Sequence, residues 1–160
     1  YRWPDLSLKP RVQLREAVLS GDKFAGDGII NTFRPISARP PINDMVPAGP
    51  ANLFVVSPEA EITVYRGMTF VLRFIAAWRL TGNDGMYSGD AKVMTRTADL
   101  PGVPLGKSLT KGAVAEIAYS INKHFNIIMS AGYFIAGEYI LNTGKGENIS
   151  AFSLRASYKF

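Results

Sequence analysis

Lys9, Arg11, Arg15, Arg73, Arg79, Arg155 and Lys159 share one parity of the alternating segments in this chain, together with Glu59, Glu61 and Glu116. Seven basic against three acidic side chains leave that parity positive. A guanidinium holds a carboxylate through two parallel N–H···O bonds, whereas lysine offers a point charge. Such residues along a narrow, partly dry passage concentrate anions and exclude cations. Arg11, Arg15, Arg73, Arg79, Arg155 and Lys159 are therefore candidate pore-lining residues that would bind an acidic solute, such as a uronate polymer. Arg73 and Arg155, deep in their segments, lead that set. The competing explanation is an ordinary polar barrel interior whose charges pair with acidic residues on strands that lie outside this sequence.

Other reactive residue types are sparse. His124 is the only histidine. A Ser–His pair needs a hydroxyl and an orienting group beside the ring, and neither Ser120 nor Ser130 is marked as a nucleophile. No catalytic residue is assigned, and the expectation is a protein that is not an enzyme. Asp22, Asp27, Asp84, Asp90 and Glu147 lie in or beside long loops, but their spacing matches no metal loop. No metal or cofactor is expected. Asn148-Ile149-Ser150 fits the N-glycosylation pattern, and the match is expected to be idle. Gly144-Lys145-Gly146 reads as a hairpin tip.

Six segments position these residues, and each alternates with the period of a strand. They run from about Leu6 to Leu19, Asn52 to Tyr65, Met68 to Leu80, Gly112 to Ile121, His124 to Ile140 and Ser150 to Phe160. The last is the clearest: Phe152, Leu154, Ala156, Tyr158 and Phe160 oppose Ser153, Arg155, Ser157 and Lys159. Pro10 predicts a distortion in the first segment. Short links at Tyr65-Arg66-Gly67 and Ile121-Asn122-Lys123 alternate with long ones over Gly21 to Ala51, Thr81 to Lys111 and Asn142 to Asn148. Short turns on one side and long loops on the other are the habit of an outer-membrane barrel. Tyr65, Phe70, Tyr119, Phe125, Tyr158 and Phe160 gather near the short turns. Phe54, Trp78, Tyr133 and Phe152 gather near the long loops, as two interfacial girdles would.

Composition is compatible with this. The chain has 160 residues, 47% hydrophobic, with no cysteine and a net charge of +5. No run of about eighteen apolar residues occurs, which excludes a transmembrane helix but not a spanning barrel. The start, Tyr1-Arg2-Trp3-Pro4, lacks an initiator Met and a signal sequence. Six strands cannot close a barrel, for which about eight is the minimum, and open edges cannot face lipid. Residues 1–160 are therefore read as the C-terminal part of one barrel domain whose earlier strands lie upstream. The fold expected is all-β: an antiparallel, up-and-down transmembrane β-barrel.

Several strings, in order, resemble the alginate export family of outer-membrane barrels. They are Leu8-Lys9-Pro10-Arg11 leading to Ser20-Gly21-Asp22-Lys23, Asn31-Thr32-Phe33-Arg34-Pro35, and Gly49-Pro50-Ala51-Asn52-Leu53. Trp78-Arg79 and Asn83-Asp84-Gly85-Met86-Tyr87 follow. Asn122-Lys123-His124-Phe125, Ala131-Gly132-Tyr133-Phe134, Ala136-Gly137-Glu138-Tyr139 and Ser157-Tyr158-Lys159-Phe160 complete the set. The stretch Ile36 to Met45 departs from the family's usual loop, being rich in Pro and Arg and without an aromatic cluster. The resemblance implies a monomeric barrel of about 18 strands, a roughly six-stranded last third in this chain, and export of an anionic polysaccharide through an Arg-lined constriction. It implies Arg73, Arg79 and Arg155 as lumen contacts, with Arg11 and Arg15 on a matching strand. Expected partners are an anionic polysaccharide or small acidic solutes, outer-membrane lipid and lipopolysaccharide, and periplasmic secretion proteins, with no nucleic acid. The alternatives are a soluble β-barrel or sandwich binding an apolar ligand, a general outer-membrane porin, and an outer-membrane hydrolase.

Overall fold

The computed structural model describes residues 1–24, 26–36 and 49–160. Beyond Ile36, the stretch running to Met45 lies outside the described residues. Six strands form one antiparallel sheet: β1 (Arg11–Leu19), β2 (Leu53–Tyr65), β3 (Met68–Arg79), β6 (Ser108–Ser120), β7 (Phe125–Ala136) and β8 (Ile149–Tyr158), side by side in that order. A small hairpin of β4 (Met86–Tyr87) and β5 (Met94–Arg96) stands apart from it. One short helix, α1 (Glu138–Asn142), interrupts the last long link. No described helix is long and apolar enough to cross a membrane, which says nothing of strands.

The register fixes what each face carries. Val12 pairs with Ala60, Ala60 with Leu72, and Leu72 with Ala115. Ala115 pairs with Ala131, and Ala131 with Phe152. One residue along, Arg11 meets Glu61, Glu61 meets Val71, Val71 meets Glu116, and Glu116 meets Ser130. Period-two alternation thus becomes two faces, one apolar and one bearing the charges. The apolar face is not enclosed: Phe152 is 73% exposed and Leu154 64%, and Tyr133 and Tyr158 are also exposed. An interior packed with the Phe125–Tyr133 and Phe152–Phe160 faces, as the soluble alternative requires, is not what the chain forms.

The core lies on the other face. Leu53, Val55, Ile75, Ala77, Leu109, Val114, Phe134 and Tyr139 are buried together. Most sit at the long-loop end of the sheet, where Met86, Leu105 and Ile140 from the loops pack against them. The charge-bearing face is therefore divided along the strands: apolar and covered by loops at one end, charged toward the short turns.

Four expectations need correction. The first strand begins at Arg11, not Leu6. Residues 4–9 form a turn, closed by the Lys9 N–H on the Leu6 carbonyl at 2.9 Å, with Lys9 at φ 43°. Across that turn Tyr1 and Val12 bond reciprocally, and the Trp3 N–H donates to the Pro10 carbonyl at 2.9 Å. β6 starts at Ser108, before the expected Gly112, because a bulge opposite Ala77 and Trp78 keeps Leu109 in the core. β7 stops at Ala136 rather than running to Ile140: Gly137, its N–H on the Leu109 carbonyl at 2.8 Å, is the N-cap of α1, and a side chain there would collide with Ser108. The long link over 81–107 contains β4 and β5 instead of being only loop.

Phe134 is the large apolar side chain common to sheet and loops. Phe134→Ala is expected to lower stability by about 3–5 kcal/mol. Phe152→Ala, on the exposed face, should change it by less than about 1 kcal/mol in detergent. Urea unfolding followed by tryptophan fluorescence compares the two.

Candidate functional site

Glu59 organises the charged part of the sheet. Its Oε1 accepts from Gln13 Nε2 at 2.9 Å and Arg11 Nη2 at 3.4 Å. Its Oε2 accepts from Arg73 Nε and lies 3.4 Å from Arg15 Nη2. Arg11 Nη2 also donates to Glu61 Oε2 at 2.5 Å, and Arg2 Nη2 reaches Glu61 Oε1 at 3.3 Å. Arg73 Nη1 donates to Glu116 Oε2 at 3.3 Å, where Ser130 Oγ also donates at 3.1 Å. The pairs follow from cross-strand register, which sets Gln13 and Arg73 directly opposite Glu59.

Exposure separates the arginines into two kinds. The side chains of Glu59 and Arg73 are 1% and 10% exposed, those of Arg11 and Arg15 33% and 42%. Arg73 is thus a buried counter-ion, while Arg11 and Arg15 keep part of their side chains exposed. Arg11 Nε is also buried without a hydrogen-bond partner among the described residues. Arg155 lies nearer the short turns, opposite Ile128, and is exposed. Lys159 lies beyond the end of β8, its backbone N–H on the His124 carbonyl at 2.8 Å. The acidic neighbours that neutralise Arg73 come from strands of this chain, not from elsewhere.

Arg79 departs most from expectation. Its strand parity puts it with the candidate pore-lining residues, yet its side chain is wholly buried. Its guanidinium donates to the carbonyls of Gly82, Asp84 and Gly106 at 2.5 to 3.2 Å and to Asp99 Oδ1 at 2.6 Å. It also lies 3.9 Å above the centre of the Tyr139 ring. The Tyr139 hydroxyl donates to the Thr97 carbonyl at 2.7 Å. Arg96 extends the knot to α1 through Ile140 and Thr143. Arg79 therefore ties two loops together and presents nothing to a solute.

A second knot surrounds Asp84. Its Oδ2 accepts from Asp22 N at 2.8 Å and Thr32 Oγ1 at 2.7 Å, and its Oδ1 from Gly85 N and Tyr87 Oη, both at 2.8 Å. Asn52, at φ 48°, donates to the carbonyls of Thr81, Asp84 and Gly85. Any side chain on Gly21 would strike Asn52. In the sequence Asp84 reads as a loop carboxylate, and nothing there singles out Asn52. The Asn-Asp-Gly-Met-Tyr string was the available signal. Burial and the bond to Asp84 hold the Tyr87 phenol above its ordinary 10.0. Burial, ahead of opposing influences from Arg79 and others, also raises Tyr139.

The remaining motifs have local roles. His124 Nδ1 is 2.9 Å from the Lys159 carbonyl, and its ring stacks on Tyr158. Ser120 and Ser130 bond Asn126 and Glu116 rather than the histidine. Asp22, Asp27 and Asp90 each accept from a residue two positions on, closing their own turns. Asn148 caps the end of β7 by bonding Ala136 N and the Tyr133 hydroxyl. Among the described residues no group of three or more His, Asp or Glu could hold a metal.

A sequence model described as "Alginate export" matches residues 1–152. No curated protein and no solved structure matches the chain.

Asp84→Ala leaves four donors without their acceptor, at about 1–3 kcal/mol for each that stays buried. Tryptic cleavage after Lys23 is expected to accelerate by at least about tenfold, measured by limited proteolysis of the folded protein. Because the folded state holds the Tyr87 proton more tightly, its contribution is complete below the ordinary phenol value of 10.0. It is lost as pH rises from there through the folded value. The same cleavage should therefore quicken at alkaline pH, and less so in Tyr87→Phe.

Proposed function

Because the chain belongs to the alginate export family, we propose that its sheet is part of the wall of an outer-membrane channel, with its apolar face on lipid and its arginines lining a passage for an acidic polysaccharide such as alginate. The family is one of polysaccharide transport at the bacterial outer membrane, not of catalysis. The observation that carries the proposal is the separation of the two faces across all six strands.

Energetics support lipid on the apolar side. Val12, Leu14, Val18, Phe74, Ile117, Met129, Tyr133, Ile135, Phe152, Leu154 and Tyr158 are all exposed there. Burying such a side chain fully gains roughly 1.5–3 kcal/mol. At half that value, these eleven forgo about 8–16 kcal/mol in water, as much as the net stability of a whole domain. Dimensions agree. Ile135 and Phe125 bound ten residue steps of β7, about 34 Å of strand at ~3.4 Å per residue. At a tilt of about 40° that spans roughly 26 Å, the height of a barrel's apolar band. Aromatics bracket it: Phe54 stacks on Trp78 at the long-loop end, and Phe125 pairs with Tyr158 at the other.

On the opposite face, Arg11, Arg15 and Arg155 offer guanidinium surface to a carboxylate. Glu59 competes for Arg11 and Arg15, and Glu61 for Arg11, so a polyanion would be held weakly there and passed on, as conduction requires. Arg73 acts as a positioning residue through Glu59. The loop-covered end of this face would narrow the passage. The same built-in competition also favours a general porin for smaller acidic solutes.

A unit charge about 4 Å from an ion in a watery passage is worth ~1 kcal/mol, about fivefold in occupancy. The full-length barrel in planar bilayers should prefer anions. Replacing Arg11, Arg15 and Arg155 together by Gln should lower the anion-to-cation permeability ratio by at least that factor, read from reversal potentials. An unchanged ratio would leave those residues a structural role only.

A further inference from the structure

We propose that the apolar face carries a binding site for lipid A, one acyl chain lying in a groove across β3 and β6 with a headgroup phosphate on Lys111. The proposal rests on the membrane-wall reading above. The groove has a volume of about 570 Å³. Ala76 and Ala113 keep its floor low, while Phe74 and Tyr133 rise as walls. Trp78 and Lys111 line it toward the long-loop end.

Charge identifies the occupant. At the strand positions of the apolar face, only Glu16 and Lys111 are ionised side chains. They share a row through Val56 and Ala76 but stand three strand spacings apart, about 14 Å at ~4.8 Å each. Among the described residues Lys111 makes no ion pair, and it is exposed. A lone ammonium on a hydrocarbon-facing surface is costly unless its stem carries it to the interface and an anion meets it there. Lys111 lies just below the Phe54–Trp78 girdle, so its amine reaches headgroup level. Long loops mark the outer side of an outer-membrane barrel. The leaflet on that side is built of lipid A, whose phosphates complement Lys111 and whose saturated chains suit a groove with an alanine floor and aromatic walls.

The test uses native mass spectrometry of the full-length barrel in uncharged detergent, titrated with lipid A. Lys111→Ala should weaken binding about tenfold, the loss of one charge-assisted contact, whereas Lys111→Arg should retain it. Ala113→Leu, which fills the groove without touching the lysine, should also weaken it. Dephosphorylated lipid A should bind the unaltered barrel no better than lipid A binds Lys111→Ala. Heat-dependent gel mobility verifies that each variant is folded. Equal binding by Lys111→Ala, or equal competition by phosphatidylglycerol, would overturn the site. If that happens while the barrel still inserts into liposomes and conducts, the channel reading stands without the site; failure to insert removes both.

Discussion

A strand must send successive side chains to opposite faces, and hydrogen-bonded register locks that choice across its neighbours. Everything else in this chain depends on that constraint. Six strands share one setting, so Val12, Ala60, Leu72, Ala115, Ala131 and Phe152 fall in one row. Slipping β1, β3 or β8 by one residue would put its arginines among the aromatics and its greasy positions on the charged face. The penalty rises with every strand, which is why short, individually weak segments specify the sheet jointly.

On the charged face the constraint becomes electrostatics. Glu59 is buried among Arg11, Arg15 and Arg73 and is tolerable there only because its oxygens are shared by several donors. Loss of one partner from such a cluster leaves a buried charge exposed to a low dielectric, so Arg73 and Glu59 hold each other in place. The arginines nearer the open side keep part of their surface free. One cluster therefore both fastens three strands and leaves guanidinium groups available, and its carboxylates temper how tightly any anion is retained.

Beyond the cluster the same face turns apolar and is covered by its own loops. Arg79 and Asp84 make that cover rigid: one donates to loop carbonyls and stacks on Tyr139, the other gathers donors from two separate links. Buried charges of this kind are supportable because every polar neighbour is satisfied. The long links thus form an interlocked layer on the sheet instead of independent excursions.

Much of this was legible in the residues alone. β2, β3 and β8 lie within about two residues of where alternation places them, and the sorting of short and long links holds, because side-chain period is a local property of the backbone. The membership of Arg11, Arg15, Arg73 and Arg155 on one face follows from the same count. What the count could not supply was company. Arg79 has the parity of Arg73 but is enclosed, because Asp99, Gly106 and Tyr139 come back over it from distant positions. α1 stands where alternation would continue the strand, and its Tyr139 is buried beneath Arg79 of the distant β3. Alternation by itself determined which side of the sheet each residue takes. Which of those residues are covered, paired or open was decided only in the folded chain, because burial is set by segments that approach from far along the sequence.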